Sequence, residues 1–170
     1  MHKKLPVRKS ARLRGYDYSQ AGSYFITICV KGRLNLLGQI VGAASGRPQI
    51  NLSQNGKIVK TWISKIADKY SDIRIENYVI MPNHIHLILS MQNNEQLSHA
   101  CSSGRVNPAP TISNIIGYFK YQTTKEIGIN GFWQRSYHDH IIRDEAQYQK
   151  IWQYIDENVL RWEKDCYHTM

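Results

Sequence analysis

Tyr78-Val79-Ile80-Met81-Pro82-Asn83-His84-Ile85-His86-Leu87-Ile88-Leu89 is a run built to be buried, yet it carries two histidines one residue apart. In a strand, alternate side chains share a face, so His84 and His86 point one way while Ile85 and Leu87 point the other. Two imidazoles sharing one site suit a pair of metal ligands, since each neutral ring offers one nitrogen lone pair and the backbone fixes their separation. The alternative is a pair of hydrogen-bonded core residues. Residues 73–81 read as one strand, Pro82-Asn83 as a turn and residues 84–90 as a second strand, a hairpin that delivers the histidine pair at a strand start.

Upstream, Ser23-Tyr24-Phe25-Ile26-Thr27-Ile28-Cys29-Val30 is rich in β-branched and aromatic residues and reads as a strand. Residues 36–41 give another, followed by a turn-rich connection over residues 42–48. From Ser53 onward, Ile58, Val59, Trp62, Ile63, Ile66 and Tyr70 recur at helical spacing, so an amphipathic helix ends near Tyr70. Residues 92–110 are nearly devoid of apolar side chains and read as a flexible loop or insertion. Residues 111–127 form a helix with Ile112, Ile115, Ile116 and Phe119 on one side and Lys120 and Lys125 on another. A short strand is expected within residues 132–143, and Asp144-Glu145 opens the last helix with acids at its positive end.

At 170 residues the chain fits one domain, residues 16–170, preceded by an arm over residues 1–15 that carries Lys3, Lys4, Arg8, Lys9, Arg12 and Arg14 and no acid. The 22 basic against 13 acidic side chains, a formal net charge of +9, point to a polyanionic partner such as nucleic acid. No apolar run approaches the ~18 residues needed to span a bilayer. The basic N-terminus lacks the apolar segment of a secretory signal. Cys29, Cys101 and Cys166 are odd in number and show no C-x-x-C spacing, which argues for reduced thiols in a cytoplasm and against a zinc ribbon.

The last helix supplies the second half of a candidate site. Ile151, Tyr154, Ile155, Asn158, Val159 and Trp162 form an inward stripe, and Asn158 interrupts it with an amide that needs a partner. Tyr154 lies one turn earlier on the same face. Either Tyr154 packs and Asn158 bonds a neighbouring backbone, or Asn158 offers a carbonyl oxygen to a metal and Tyr154 a hydroxyl for attack. Tyr118, with Gln122 four residues on, is a rival nucleophile. Lys150, one turn before Tyr154, is a candidate source of positive charge. His138-Asp139-His140 is a second same-face pair; joined to His84 and His86 it would make a zinc hydrolase or a zinc-stabilised binding module, and His140 is otherwise a candidate supporting residue.

The Met81-Pro82-Asn83-His84-Ile85-His86 stretch and the terminal Tyr154-Ile155-Asp156-Glu157-Asn158 together resemble the single-tyrosine HUH transposases, in particular the REP-associated tyrosine transposases. Arg14-Gly15-Tyr16-Asp17-Tyr18 and Phe132-Trp133-Gln134-Arg135-Ser136-Tyr137 extend the resemblance over nearly the whole chain. It implies an α/β (α+β) fold with a ferredoxin-like HUH core, a central mainly antiparallel sheet with packed helices. It further implies a divalent metal, Mg2+ or Mn2+, on His84, His86 and Asn158, with Tyr154 as nucleophile. The implied activity is cleavage and joining of single-stranded DNA at REP-type hairpins through a 5′-phosphotyrosine, in DNA transposition; a domesticated relative that binds hairpins without cutting is the alternative. Transposases of this general kind act as homodimers, sometimes with the tyrosine helix supplied in trans, so a homodimer is expected, with a monomer as the alternative. DNA contacts are expected from Arg8, Lys9, Arg12, Arg14, Lys120 and Arg135. Val159 stands where the branch commonly has proline, which leaves the end of the helix open. Because histidines bind metal only when neutral, activity is expected to fall below roughly pH 6.5.

Overall fold

The computed structural model describes residues 17–42, 46, 48–92 and 110–167. Arg8, Lys9, Arg12 and Arg14 of the basic arm, and residues 93–109 of the loop expected over residues 92–110, lie outside the described residues.

Among the described residues, six strands and three α-helices follow in the order β1 (Gly22–Cys29), β2 (Gly38–Val41), β3 (Gln49–Leu52), α1 (Gln54–Lys69), β4 (Ile73–Ile80), β5 (His84–Met91), α2 (Ile112–Ile127), β6 (His138–Ile142) and α3 (Glu145–Glu157). Four strands form a sheet in the order β4-β5-β1-β6, and every neighbouring pair is antiparallel. With α1 and α2 as crossovers this is the ferredoxin-like β-α-β-β-α-β arrangement, as expected. β2 and β3 make a separate hairpin inserted before α1. β3 was not anticipated: Gln49-Ile50-Asn51-Leu52 is short and polar on one side, and the pairing to β2 creates it.

The register of β1 against β5 sorts the residues by face. Tyr24, Ile26 and Ile28 oppose Leu89, Leu87 and Ile85 and look toward the main core, where Val59, Ile63 and Ile66 of α1 and Ile112, Ile115, Ile116 and Phe119 of α2 are buried with them. Phe25, Thr27 and Cys29 oppose Ile88, His86 and His84 on the other face. α3 covers that second face, tied to β4 by Asn77 Nδ2, which donates to Asp156 Oδ1 at 3.0 Å. The histidine pair therefore lies between a central strand and the last helix.

Local chemistry fixes the ends of these elements. The side chains of Ser53, Thr111 and Asp144 accept from the backbone N–H groups of Gly56, Asn114 and Gln147, capping the first turns of α1, α2 and α3. Gly128, at φ 77°, ends α2 in the left-handed conformation that glycine adopts without strain. α3 needs no proline to stop: it tightens after Glu157 into a 3-10 segment, Val159–Lys164. The chain then turns back over the sheet. The Trp162 ring thereby stacks on that of His84, with the ring centroids 6.1 Å apart.

Candidate active site

His84 and His86 are both buried, at 0% and 1% exposure, and their outer nitrogens are held. His84 Nδ1 lies 2.8 Å from Asn83 Oδ1, and His86 Nδ1 lies 2.8 Å from Thr27 Oγ1 on the neighbouring strand. An amide oxygen only accepts, so Asn83 fixes the proton of His84 on Nδ1 and leaves Nε2 bare. The two Nε2 atoms converge at 3.0 Å. Burial holds the His84 ring well below the ordinary histidine range, at about 4, with Asp165 opposing the shift and Arg33 adding to it. Burial, with His84 adding to the effect, keeps His86 well below that range too. Both rings are therefore neutral at pH 7, the form in which imidazole ligates metal.

Tyr154 reaches this spot from α3. Its hydroxyl stands 3.3 Å from His86 Nε2, and its ring meets Phe25 edge-on at 6.0 Å. Burial and then the Asp165 carboxylate push the Tyr154 phenol up to about 12, while the Asn158 amide acts in the opposite sense. Asn158 is 1% exposed; its Nδ2 donates to Asp165 Oδ2 at 3.3 Å, and its buried Oδ1 has no hydrogen-bond partner. An unpaired buried carbonyl oxygen costs on the order of 1–3 kcal/mol. A cation would satisfy it.

Asp165 is a site residue that the sequence reading missed. It sits just beyond the 3-10 segment, with Oδ2 3.9 Å from His84 Nε2, and ligand atoms of His84, His86 and Asp165 all lie within 4.8 Å of one another. No periodicity marks it, because only the turn after α3 returns the chain to the sheet. The same turn brings Tyr167, whose ring centroid is 4.6 Å from that of His84. Arg33 Nη1 donates to the Cys166 carbonyl at 3.0 Å and Asn83 Nδ2 to the Tyr167 carbonyl at 2.8 Å, so this segment is anchored from both sides. The donor set of two neutral imidazoles, an amide oxygen and a carboxylate fits a divalent cation. Burial raises the Cys29 thiol to about 11, so it is a neutral neighbour of this set.

The remaining candidates separate. Tyr118 lies on α2, across the sheet, in edge contact with Trp62 and Tyr70 at 6.1 and 6.0 Å, and does not join the histidines. His138 and His140 are exposed on β6, with β1 between them and β5, so the four-histidine zinc site is not assembled; His140 Nε2 instead lies 3.3 Å from Gln147 Oε1. Lys150 is exposed on α3, and the charge that acts on Tyr154 is the Asp165 carboxylate. Lys120, expected at the DNA, donates to the carbonyls of Gln134, Arg135 and Ser136, buttressing the loop before β6. Arg135, in that loop, is exposed.

The site thus sets a histidine pair on a central strand, β5, against a tyrosine on the last helix, α3. Residues 23–158 match the family model described as "Transposase IS200 like". The chain belongs to this IS200-like transposase family. An uncharacterised protein of Haemophilus influenzae is 37% identical to it, with 93% of this chain and 91% of that protein aligned. A solved structure of a REP-associated tyrosine transposase bound to a REP hairpin shares its fold, with a TM-score of 0.62 at 20% identity, covering 89% of this chain and 73% of that one. The protein is thus a DNA-processing enzyme of the transposition class. None of the helices among the described residues is long and apolar enough to cross a membrane.

Proposed function

We propose that the protein cuts and rejoins single-stranded DNA at REP-type hairpins, with Tyr154 as nucleophile and a divalent cation, Mg2+ or Mn2+, held by His84, His86 and Asn158, with Asp165 as a further donor. The observation that carries this reading is the convergence of the Tyr154 hydroxyl, both Nε2 atoms and the Asp165 carboxylate at one buried place, where Asn158 bonds Asp165 through Nδ2 and keeps Oδ1 unpartnered. When bound there, the cation supplies Lewis-acid polarisation of the phosphodiester. Tyr154 supplies the attacking oxygen: a phosphorus–oxygen bond to the phenol forms as the bond to the 3′ oxygen breaks. The phenol proton leaves to solvent, the 3′ oxygen takes one up, and the 5′-phosphotyrosine keeps the bond energy for rejoining.

Magnitudes show what the site must supply. A phenol at about 12 is ionised in only about one molecule in 100,000 at pH 7, a deficit of roughly 7 kcal/mol against roughly 4 for an ordinary tyrosine. Among the described residues no lysine acts on the Tyr154 phenol, and the positive charge of a bound cation would offset this deficit. Tyr154 and His86 meet within one chain, which supports cleavage in cis without a partner's helix. Arg135 and the arm residues Arg8, Lys9, Arg12 and Arg14 are proposed to hold phosphates. The REP-associated branch is supported by the paired motifs and by the shared fold.

The test is a denaturing gel of the protein mixed with Mn2+ and single-stranded REP-type hairpins, run beside Tyr154→Phe and Tyr118→Phe. A covalent adduct lost only in Tyr154→Phe is expected. No adduct from wild type despite tight hairpin binding would replace the enzyme with a hairpin-binding protein.

A further inference from the structure

A groove of about 720 Å³ opens between the β2–β3 hairpin and the 3-10 segment after α3. Its volume falls within the range of small-ligand sites, roughly 300–1,000 Å³. Two of its walls are shared with the candidate active site: Pro82, just before Asn83 and His84, and Trp162, whose ring stacks on His84. Pro82 and Trp162 thus connect the groove to the candidate active site.

The lining specifies which part of a nucleotide fits. Asn35 and Gln39 present side-chain amides, Glu163 a carboxylate, and Trp162 with Leu160 an apolar wall; the groove is lined by neither lysine nor arginine among the described residues. Such a surface repels phosphate and matches a nucleobase, whose edge exchanges hydrogen bonds with amides and whose face lies on apolar side chains. Asn35, Gln39 and Glu163 are exposed and Leu160 is 45% exposed, so these groups are open to a ligand. Gly38, also in the lining, packs so closely on β3 that a Cβ would stand 2.6 Å from the Asn51 carbonyl oxygen.

We propose that this groove receives an unpaired base next to the scissile phosphate and selects for an exocyclic amino group, which adenine, cytosine and guanine carry and thymine lacks. The Glu163 carboxylate accepts from that amino group, while Asn35 and Gln39 bond the rest of the base edge. This inference rests on the single-stranded DNA reading above.

The experiment measures binding in the Tyr154→Phe protein, so that no DNA is cut, using hairpins that are blunt or carry a short 5′ or 3′ single-stranded extension of cytosine or of thymine. Cytosine extensions on one side are expected to bind roughly tenfold more tightly than thymine, the discrimination of a good base-edge contact. Glu163→Gln and the double variant Asn35→Ala/Gln39→Ala are expected to abolish that ratio while leaving blunt-hairpin affinity unchanged. Equal affinity for cytosine and thymine extensions, or equal losses on blunt and extended hairpins, would overturn the proposal. So would unchanged DNA binding with a change in sedimentation, which would assign the groove to a second copy of the chain. A wild-type adduct on the same hairpins separates these outcomes from failure of the cleavage reading.

Discussion

Thr27 Oγ1 stands 2.8 Å from His86 Nδ1, directly opposite it in the β1–β5 register. A residue on one strand thus sets the orientation of the imidazole ring on the next, the support that ligating histidines generally need. Thr27→Val keeps the shape and removes the hydroxyl. Mn2+ affinity measured by titration calorimetry should fall about 10- to 100-fold, with Tyr154 and the rest of the fold intact.

Neutral buried histidines make the metal-free protein sensitive to acid. The folded-state pKa of His84 is depressed to about 4, below the ordinary value of 6.5, so the unfolded chain binds its proton first as pH falls. Stability from this group is fully present above pH 6.5, declines between pH 6.5 and about 4, and levels off below. The loss is on the order of 3 kcal/mol, and His86 adds to it in the same direction. Urea unfolding at a series of pH values, with chelator present, measures it. The expectation of lost activity below pH 6.5 shifts downward accordingly, because the folded site keeps its rings neutral well past that point.

Lys120 should matter for the fold more than for DNA. Its ammonium serves carbonyls of Gln134, Arg135 and Ser136, so Lys120→Met leaves these acceptors without their donor. A loss of about 1–3 kcal/mol is expected. Chemical denaturation reads the loss; the salt dependence of hairpin binding should be unaltered, whereas a lysine on phosphate would reduce the slope by about one.

Gly56→Ala tests the seat of α1. A Cβ there would stand 2.1 Å from the Leu37 carbonyl oxygen, a backbone atom that cannot swing aside. Despite alanine's better helix propensity, the variant should lose about 3 kcal/mol through overpacking. A thermal midpoint equal to or above that of wild type would contradict the packing described.

Asp165→Asn separates the carboxylate from its charge. Burial and Asp165 hold the Tyr154 phenol up, so the variant should lower its titration midpoint, read by ultraviolet absorbance, while weakening Mn2+ binding in calorimetry. An unmoved phenol would remove Asp165 from the site's electrostatics.

The alternation of His84-Ile85-His86-Leu87 determined by itself that two imidazoles would share a face, because strand pleating has a period of two. Helical spacing likewise put Tyr154 and Asn158 on one stripe, and charged and turn residues marked most element ends. These are local rules, and local order suffices to read them. Which side of the sheet each stripe covers was decided by tertiary structure alone: Tyr118 and Tyr154 both sit on amphipathic helices, and only strand order and crossovers put α3 over the histidines and α2 behind them. The same holds for Asp165, Thr27 and Lys120. Their partners are distant in sequence, at His84, His86 and the loop before β6, and a contact between distant residues leaves no periodic trace along the chain.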